Sequence, residues 1–464
     1  MSLRAGGSRT QQGFLLLALL VLAACQPPAP QPTTTPPAPS PAPPTEEVAP
    51  GIRPFIPAEA LRETGVDVWH PWLGVEASLL ESQTAEFNQT NEWGITVRTQ
   101  AYSSYTELFD NATAALAGSE GPQAVIALPE HASRWDAGGH VTDLATYMAD
   151  STYGLAQGEV DDFPAELWTQ ELVAERRLGV PAQRSAHFLT YNQSWARQLG
   201  FPKPPTTAQE FRTQACAAHT SLGGDEDPAN DGRGGWLVRT DSMTFLSWLN
   251  AFGGGVLDGG GYRFLSPKNL EATAFLKQLY DDNCAWVPQA GQTPAEAFAA
   301  REALFGTAAM EEFSEFGRAM ATAENADQWT VLSFPGATEQ GLPVYGSSFV
   351  VLKSTPEQQL ASWLLIRWLL STENQKRWVE ATGMFPLRTS VQESLGEYGR
   401  SHPQWASAVE QLPGAQIQPQ LASWRQVRVM LGDGFEAMFR VNTPTGRVAE
   451  ILAIMDRTAR DLSE

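Results

Sequence analysis

The chain has 464 residues, of which 52 are Asp or Glu and 31 are Lys or Arg, giving a formal net charge of −21. A surface this acidic argues against nucleic acid and anionic membrane as partners, because both repel it. The length exceeds what a single core usually holds, so two lobes are expected.

Arg4 and Arg9 precede an apolar run over residues 13–24 that is too short to span a bilayer but suits the h-region of a signal peptide. Leu22-Ala23-Ala24-Cys25 closes that run and resembles a lipobox, implying that residues 1–24 are removed and that Cys25 becomes an acylated N-terminus. The first 24 residues hold two arginines and no acids, so the remainder carries 29 basic against 52 acidic side chains. Residues 25–60 read as a tether, because 26–50 are mostly Pro, Thr, Ala and Gln, which cannot form a core. Roughly 25 residues of polyproline II reach about 75 Å. No later segment approaches the run of about 20 apolar residues that a membrane span needs. With Cys25 assigned to lipid, Cys216 and Cys284 are left as an even pair in an exported chain, which predicts a disulfide over two free thiols.

Val66 to Trp69 alternates and runs into His70-Pro71, a strand entering a loop. A helix follows with Val75, Leu79 and Phe87 on one face, then a strand over 95–99, then a helix carrying Tyr105, Leu108, Phe109, Ala112 and Leu116. Residues 124–128 form a short apolar run suited to a buried parallel strand. Strands alternating with helices predict an α/β domain with functional loops at the strand C-termini. A further strand is expected over 188–192, then helices over 207–219, 242–252 and 267–281 and around 296–305. Strands return at 330–334 and 348–353. The helix after Pro356 carries Leu360, Trp363, Leu364, Ile366, Trp368 and Leu369, apolar nearly all round, and is expected to be deeply buried. Most of the 15 Trp, 21 Phe and 9 Tyr are expected in the core.

The landmarks Trp69-His70-Pro71-Trp72, Phe87 to Asn91, Gln183-Arg184-Ser185, Tyr191-Asn192, Pro205-Thr206-Thr207 before Phe211, Tyr345 to Ser348, Glu373-Asn374-Gln375, Gly383 and Phe385-Pro386 occur in one order over roughly residues 60–460. In that order they resemble the extracellular solute-binding proteins of ABC importers, of the type that binds sugars and glycerol phosphates. The resemblance implies two α/β lobes of the type II periplasmic-binding-protein fold, with crossing strands at the hinge and the ligand between the lobes. It puts crossings at 180–183, near 309–313 and at 347–351. The first lobe would hold 61–181 and 304–349, and the second 182–303 and 350–464. It also implies a monomeric, lipid-anchored, extracytoplasmic protein that uses no cofactor and no metal, catalyses nothing, and hands a small carbohydrate to permease subunits in the membrane.

A pyranose offers a C–H face that packs on an aromatic ring, and hydroxyls that need fixed partners once desolvated. Trp72, after the first strand, is expected as such a platform, with core packing as its alternative; Tyr105 stands likewise at the start of the next helix. Glu130, just past the 124–128 strand, is expected to accept hydroxyls. Ser185 lies after the first crossing, and Gly346 and Ser347 on the last are small enough to bring backbone N–H groups to the ligand. Glu311, Phe313 and Ser314 fall on the family's third contact segment. Trp248 would supply an opposing face unless it packs between Leu246 and Leu249.

Glycerol-phosphate relatives use an arginine before the last helix and a tyrosine after the glycine at 383. Met384 stands at that tyrosine position and 416–423 has no arginine, so an uncharged sugar or polyol is favoured over glycerol 3-phosphate or a glycerophosphodiester, with Arg388 and Arg425 as the nearby substitutes. The run Asp225, Asp227, Asn230, Asp231 reads as a solvated turn rather than a calcium loop, since its glycine and glutamate do not fall at EF-hand positions. An exported glycoside hydrolase is the competing class, as carboxylates are plentiful. No HExxH or GxSxG motif supports it.

Overall fold

The computed structural model describes residues 55–118, 121–259, 261–288, 291–336, 341–440 and 442–463. The signal segment, Cys25 and nearly all of the expected tether lie outside them. Two sheets organise the described chain. In the first, the order is Thr96–Ala101, Gly65–His70, Ala124–Ala127, Ser348–Val351, Val180–Pro181. Its first three strands are parallel, and Ser348–Val351 runs antiparallel to both of its neighbours. Residues 65–70 alternate half-buried with buried, whereas Ala124–Ala127 is buried throughout, as a central strand covered on both faces must be.

The second sheet has the order Ala285–Trp286, Gly234–Leu237, Ala303–Ala309, Ser185–Asn192, Leu342–Tyr345, Ala415–Gln416, with Trp329–Leu332 also paired to Ser185–Asn192. The helix Ser242–Ala251 is fixed at its start by Asp241, whose carboxylate accepts from the backbone N–H of Met243 and Thr244. Cys216 and Cys284 form a disulfide, joining the Ala208–Leu222 helix to the segment before Ala285–Trp286. Among the described residues no helix is long and apolar enough to cross a membrane.

The chain passes from the first sheet to the second at 182–184, as expected, and returns at 346–347. The expected crossing near 309–313 is corrected. Ala303–Ala309 pairs with Gly234–Leu237 and with Ser185–Asn192, so it belongs wholly to the second sheet. The helix expected around 296–305 is accordingly shorter, Pro294–Ala299, and Phe305 lies on a strand against Tyr191. The last passage between sheets comes with Ala415–Gln416, which pairs with Leu342–Tyr345.

The expected division of the chain changes with it. Residues 303–345 supply strands to the second sheet rather than the first, while Ser348–Val351 and the Pro356–Leu369 helix, whose Trp363, Leu364 and Ile366 are buried, join the first. Trp424–Met438 and Val448–Ser463 return to the second, where Trp424, Leu431, Phe435 and Leu452 pack into its core. Val75, read as core-facing, is exposed; Leu80, Thr84 and Phe87 carry the buried face of the Gly74–Thr90 helix.

Candidate functional site

A cavity of about 510 Å³ opens between the two sheets. One wall is built at the carboxyl ends of the first sheet's parallel strands, where an open α/β sheet leaves a crevice. Pro71 and Trp72 follow Gly65–His70, Tyr105 starts the helix after Thr96–Ala101, and Leu128 follows Ala124–Ala127. Glu76 comes from the first turn of the Gly74–Thr90 helix. The facing wall carries Gln183 and Ser185 from one crossing, Tyr345 and Gly346 from the other, Glu311 and Ser314, and Met384.

Gly346 has to be glycine. Its φ is +154°, and a Cβ there would lie 2.1 Å from the Gln183 carbonyl oxygen, so the two crossings touch only because no side chain intervenes. Ser347, expected as a ligand group, is fully buried behind them. Its carbonyl accepts from the Ala182 N–H at 2.9 Å and from Arg184 Nη1 at 2.8 Å.

Trp72 is 2% exposed, its ring 4.5 Å from Trp378, so it serves the core and the cavity wall together. Burial pushes the Tyr105 hydroxyl up to about 12, partly offset by a hydrogen bond with Ser347. Burial raises Tyr345 further, and the neighbouring Glu311 carboxylate adds to it. Both tyrosines are therefore neutral donors.

The acceptors are concentrated around Glu311. Its carboxylate accepts from the Ser185 hydroxyl and, at 3.3 Å, from the Tyr345 hydroxyl. Glu76 faces it across the cavity. Desolvation raises the Glu76 carboxyl to about 7; a hydrogen bond with Gln183 works against the rise, and the Glu311 charge adds to it. The Gln183 side-chain oxygen is buried without a hydrogen-bond partner among the described residues. Arg428 is the one cationic side chain among the described residues lining this cavity, and its Nη2 lies 3.1 Å from the Glu130 carboxylate.

Several expected ligand groups are placed elsewhere. Glu130 is 4% exposed and stands behind Arg428 rather than on the wall, because its burial is tolerable only beside that guanidinium. Trp248 is fully buried among Phe211, Trp236 and Phe334, which makes it core of the second lobe. Arg388 is buried over the Phe163 ring at 4.2 Å, bonded to the Leu370 carbonyl and the Asp162 carboxylate, and has no face on the cavity. Arg425 lies over Phe109 at 4.5 Å, outside this cavity. Phe313 is buried and packs edge-on against Phe188, while Glu311, Ser314, Gly346, Ser185, Tyr105, Trp72 and Met384 come together on the walls. No group of three or more His, Cys, Asp or Glu arranged to hold a metal occurs among the described residues, and the Asp225–Asp231 stretch is a turn closed by its own hydrogen bonds.

Glu76, Gln183, Tyr345 and Arg428 were not expected from the sequence. Arg428 lies three residues beyond Arg425 on the Trp424–Met438 helix, so the arginine sought near the last helices is there, one turn further along it. Glu76, four residues after Trp72, carried no signal of its own; only the turn of the chain at Leu73 brings it to the mouth.

The model of a family described as bacterial extracellular solute-binding protein matches residues 82–413. No curated protein sequence matches the chain. Among solved structures, the sugar-binding protein MalE from Xanthomonas citri is similar at a TM-score of 0.73 and 20% identity, covering 86% of this chain and 97% of that one. The cyclic alpha-maltosyl-1,6-maltose binding protein from Arthrobacter globiformis gives 0.71 and 17%, covering 86% and 99%. UgpB from Mycobacterium tuberculosis, in complex with glycerophosphocholine, gives 0.68 and 18%, covering 86% and 98%. At these identities the likeness is one of fold, two lobes about a cleft.

Proposed function

Because the chain belongs to the bacterial extracellular solute-binding proteins, which hold a solute and break none of its bonds, we propose that its solute is an uncharged carbohydrate held in the cavity between the two lobes. One observation carries this reading: the cavity pairs aromatic walls with a surplus of acceptors, while Arg428, the one arginine among the described residues lining it, is already matched by Glu130. The sugar's hydroxyls donate to Glu76 and Glu311, and its C–H faces pack on Trp72 and Tyr105. A phosphate would instead meet two carboxylates and would have to draw Arg428 from a buried partner, leaving Glu130 uncompensated at a cost of several kcal/mol. The sugar-binding relatives support the reading, and the glycerophosphocholine-bound relative names the ligand class to test against it.

The same reading has the protein act outside the cytoplasm as a monomer and pass its sugar to permease subunits of an ABC importer. Cys25 carries the lipid and the proline-rich stretch after it gives reach. Cys25→Ser is then expected to release the protein from the membrane fraction or leave it unprocessed. Retention equal to wild type contradicts the anchor.

Calorimetric titration of the mature protein with mono- and oligosaccharides, polyols, glycerol 3-phosphate and glycerophosphocholine tests the ligand class. Saturable binding of a neutral saccharide is expected. Tight binding of the phosphates with none of the sugars contradicts it.

A further inference from the structure

Beyond Glu311 and Ser314 lies a second cavity of about 480 Å³. Glu311, Ser314, Ala381 and Thr382 border both it and the cavity between the sheets. Glu311, Ser314 and Ala381 are exposed, so they form an open rim between two adjoining spaces rather than a wall. Each space alone falls within the range of roughly 300–1,000 Å³ typical of small-molecule sites.

The lining of the second cavity has the mixed chemistry that sugar rings require. Trp329, Tyr398 and Trp405 supply aromatic surface, and Arg318, Glu380 and Gln404 supply donors and acceptors. The rings are braced. Tyr398 stacks with His402 at 4.0 Å and meets Trp405 edge-on at 5.0 Å. Trp405 Nε1 donates to the Met384 carbonyl at 3.1 Å, which ties this aromatic group to a residue of the first cavity. The Gln404 amide donates to the Trp329 carbonyl at 3.0 Å, leaving its oxygen available. Arg318 is exposed, and its Nη1 donates a 3.4 Å hydrogen bond to the rim hydroxyl of Ser314.

We propose that the solute is a linear oligosaccharide of three or more rings, which fills the cavity between the lobes, crosses the rim at Glu311 and Ser314, and lays its further rings in the second cavity over Trp329 and Tyr398. The proposal rests on the carbohydrate reading above and adds chain length to it. A compact monosaccharide or polyol would leave the second cavity unused. Extra rings gain stacking and hydrogen bonds there, so affinity rises with length until both spaces are filled.

Gly317 provides a clean obstruction. It lines the second cavity only, is exposed on the Phe313–Thr322 helix, and a Cβ built on it meets nothing within 4 Å. Gly317→Trp therefore fills the second space without touching the first, and Tyr398→Ala removes an aromatic face from it. The test is calorimetric titration of wild type and both variants with gluco-, xylo- and galacto-oligosaccharides of one to six units. For a series that binds, wild-type affinity is expected to rise about tenfold or more between two units and four. Gly317→Trp should abolish that rise while keeping two-unit binding within about twofold, and Tyr398→Ala should reduce the rise. If one- or two-unit ligands bind and added length brings nothing, or if Gly317→Trp leaves the rise intact, the extension is wrong and the carbohydrate reading stands. If no saccharide of any length binds, both fall together.

Discussion

The hinge and the cleft treat charge in opposite ways. At the hinge, Arg184 and Glu171 are each 1% exposed and paired to each other. Arg184 also donates to the carbonyls of Gln183 and Ser347, one on each crossing, and Glu171 accepts from Ser348. Both charges there are paired, although Glu171 Oε2 has no hydrogen-bond partner among the described residues, and the two crossings are pinned through one guanidinium. Beside it in the cleft, the half-buried Glu76 and the exposed Glu311 face each other with no ion-pair partner among the described residues. Paired charges hold a shape; unpaired ones are complete only when something binds. That contrast distinguishes the pivot of this protein from its binding surface.

The largest effect is expected from breaking the ion pair at the hinge. Glu171→Ala strands Arg184 in the interior and should cost about 3–5 kcal/mol in denaturant unfolding. Replacing both residues with methionine should recover much of that loss, because the penalty comes from the unpaired charge rather than from the missing bridge. Equal losses in the single and double variants would mean the pair stabilises in its own right.

Gly346→Ala strikes the seam between the two regions. The added Cβ meets the Gln183 carbonyl at 2.1 Å, and the backbone angle alone is worth about 1–3 kcal/mol of strain. A lowered melting temperature together with weakened ligand binding is expected, whereas a fall in binding alone would free Gly346 from the structural role given it here.

On the cleft side the test is pH. The Glu76 carboxyl is raised to about 7 in the folded protein, above its ordinary value of 4.5. Between those values the folded state holds a proton that the unfolded state has released, so stability falls as pH rises from about 4.5 through about 7. Glu76→Gln should remove that part of the slope, measured as melting temperature from pH 5 to 8 relative to wild type. A parallel pair of curves would remove Glu76 from the account.

Tyr345→Phe deletes one donor to Glu311 at 3.3 Å and should change stability by only about 0.5–1.5 kcal/mol. Its larger consequence should be in saccharide affinity, because the bare Glu311 carboxylate must then be satisfied by the ligand or by water.

Much of the scaffold was legible in the sequence because its strands are short apolar runs between helices of clear period. Residues 65–70, 96–101 and 124–127 appeared within two residues of where the pattern placed them. Strands such as Gly234–Leu237 and Leu342–Tyr345 escaped because glycine and proline interrupt them, and Ala303–Ala309 was merged with a helix because its alanines and leucine suit either structure. The site divided along similar lines. Trp72 and Trp248 look alike in sequence, each an aromatic beside apolar neighbours, but Trp72 lies just past a strand end at the crevice and Trp248 lies on a helix inside the lobe. Ser185 and Gly346 on the crossings were found because small side chains between strands mark close approach, whereas their larger neighbours Gln183 and Tyr345 were missed. Glu76 and Arg428 were missed because a charged residue on an amphipathic helix ordinarily faces water, and only the packing of two lobes turns these two inward.

The most direct test of a neutral carbohydrate held between the lobes is amide hydrogen exchange of the mature protein with and without a saccharide that it binds. Residues on both sides of the cavity, 72–76 with 105 from one lobe and 183–185, 311–314 and 345–346 from the other, should become protected together. Protection confined to one lobe, or centred on the surface around Arg425, would contradict the account.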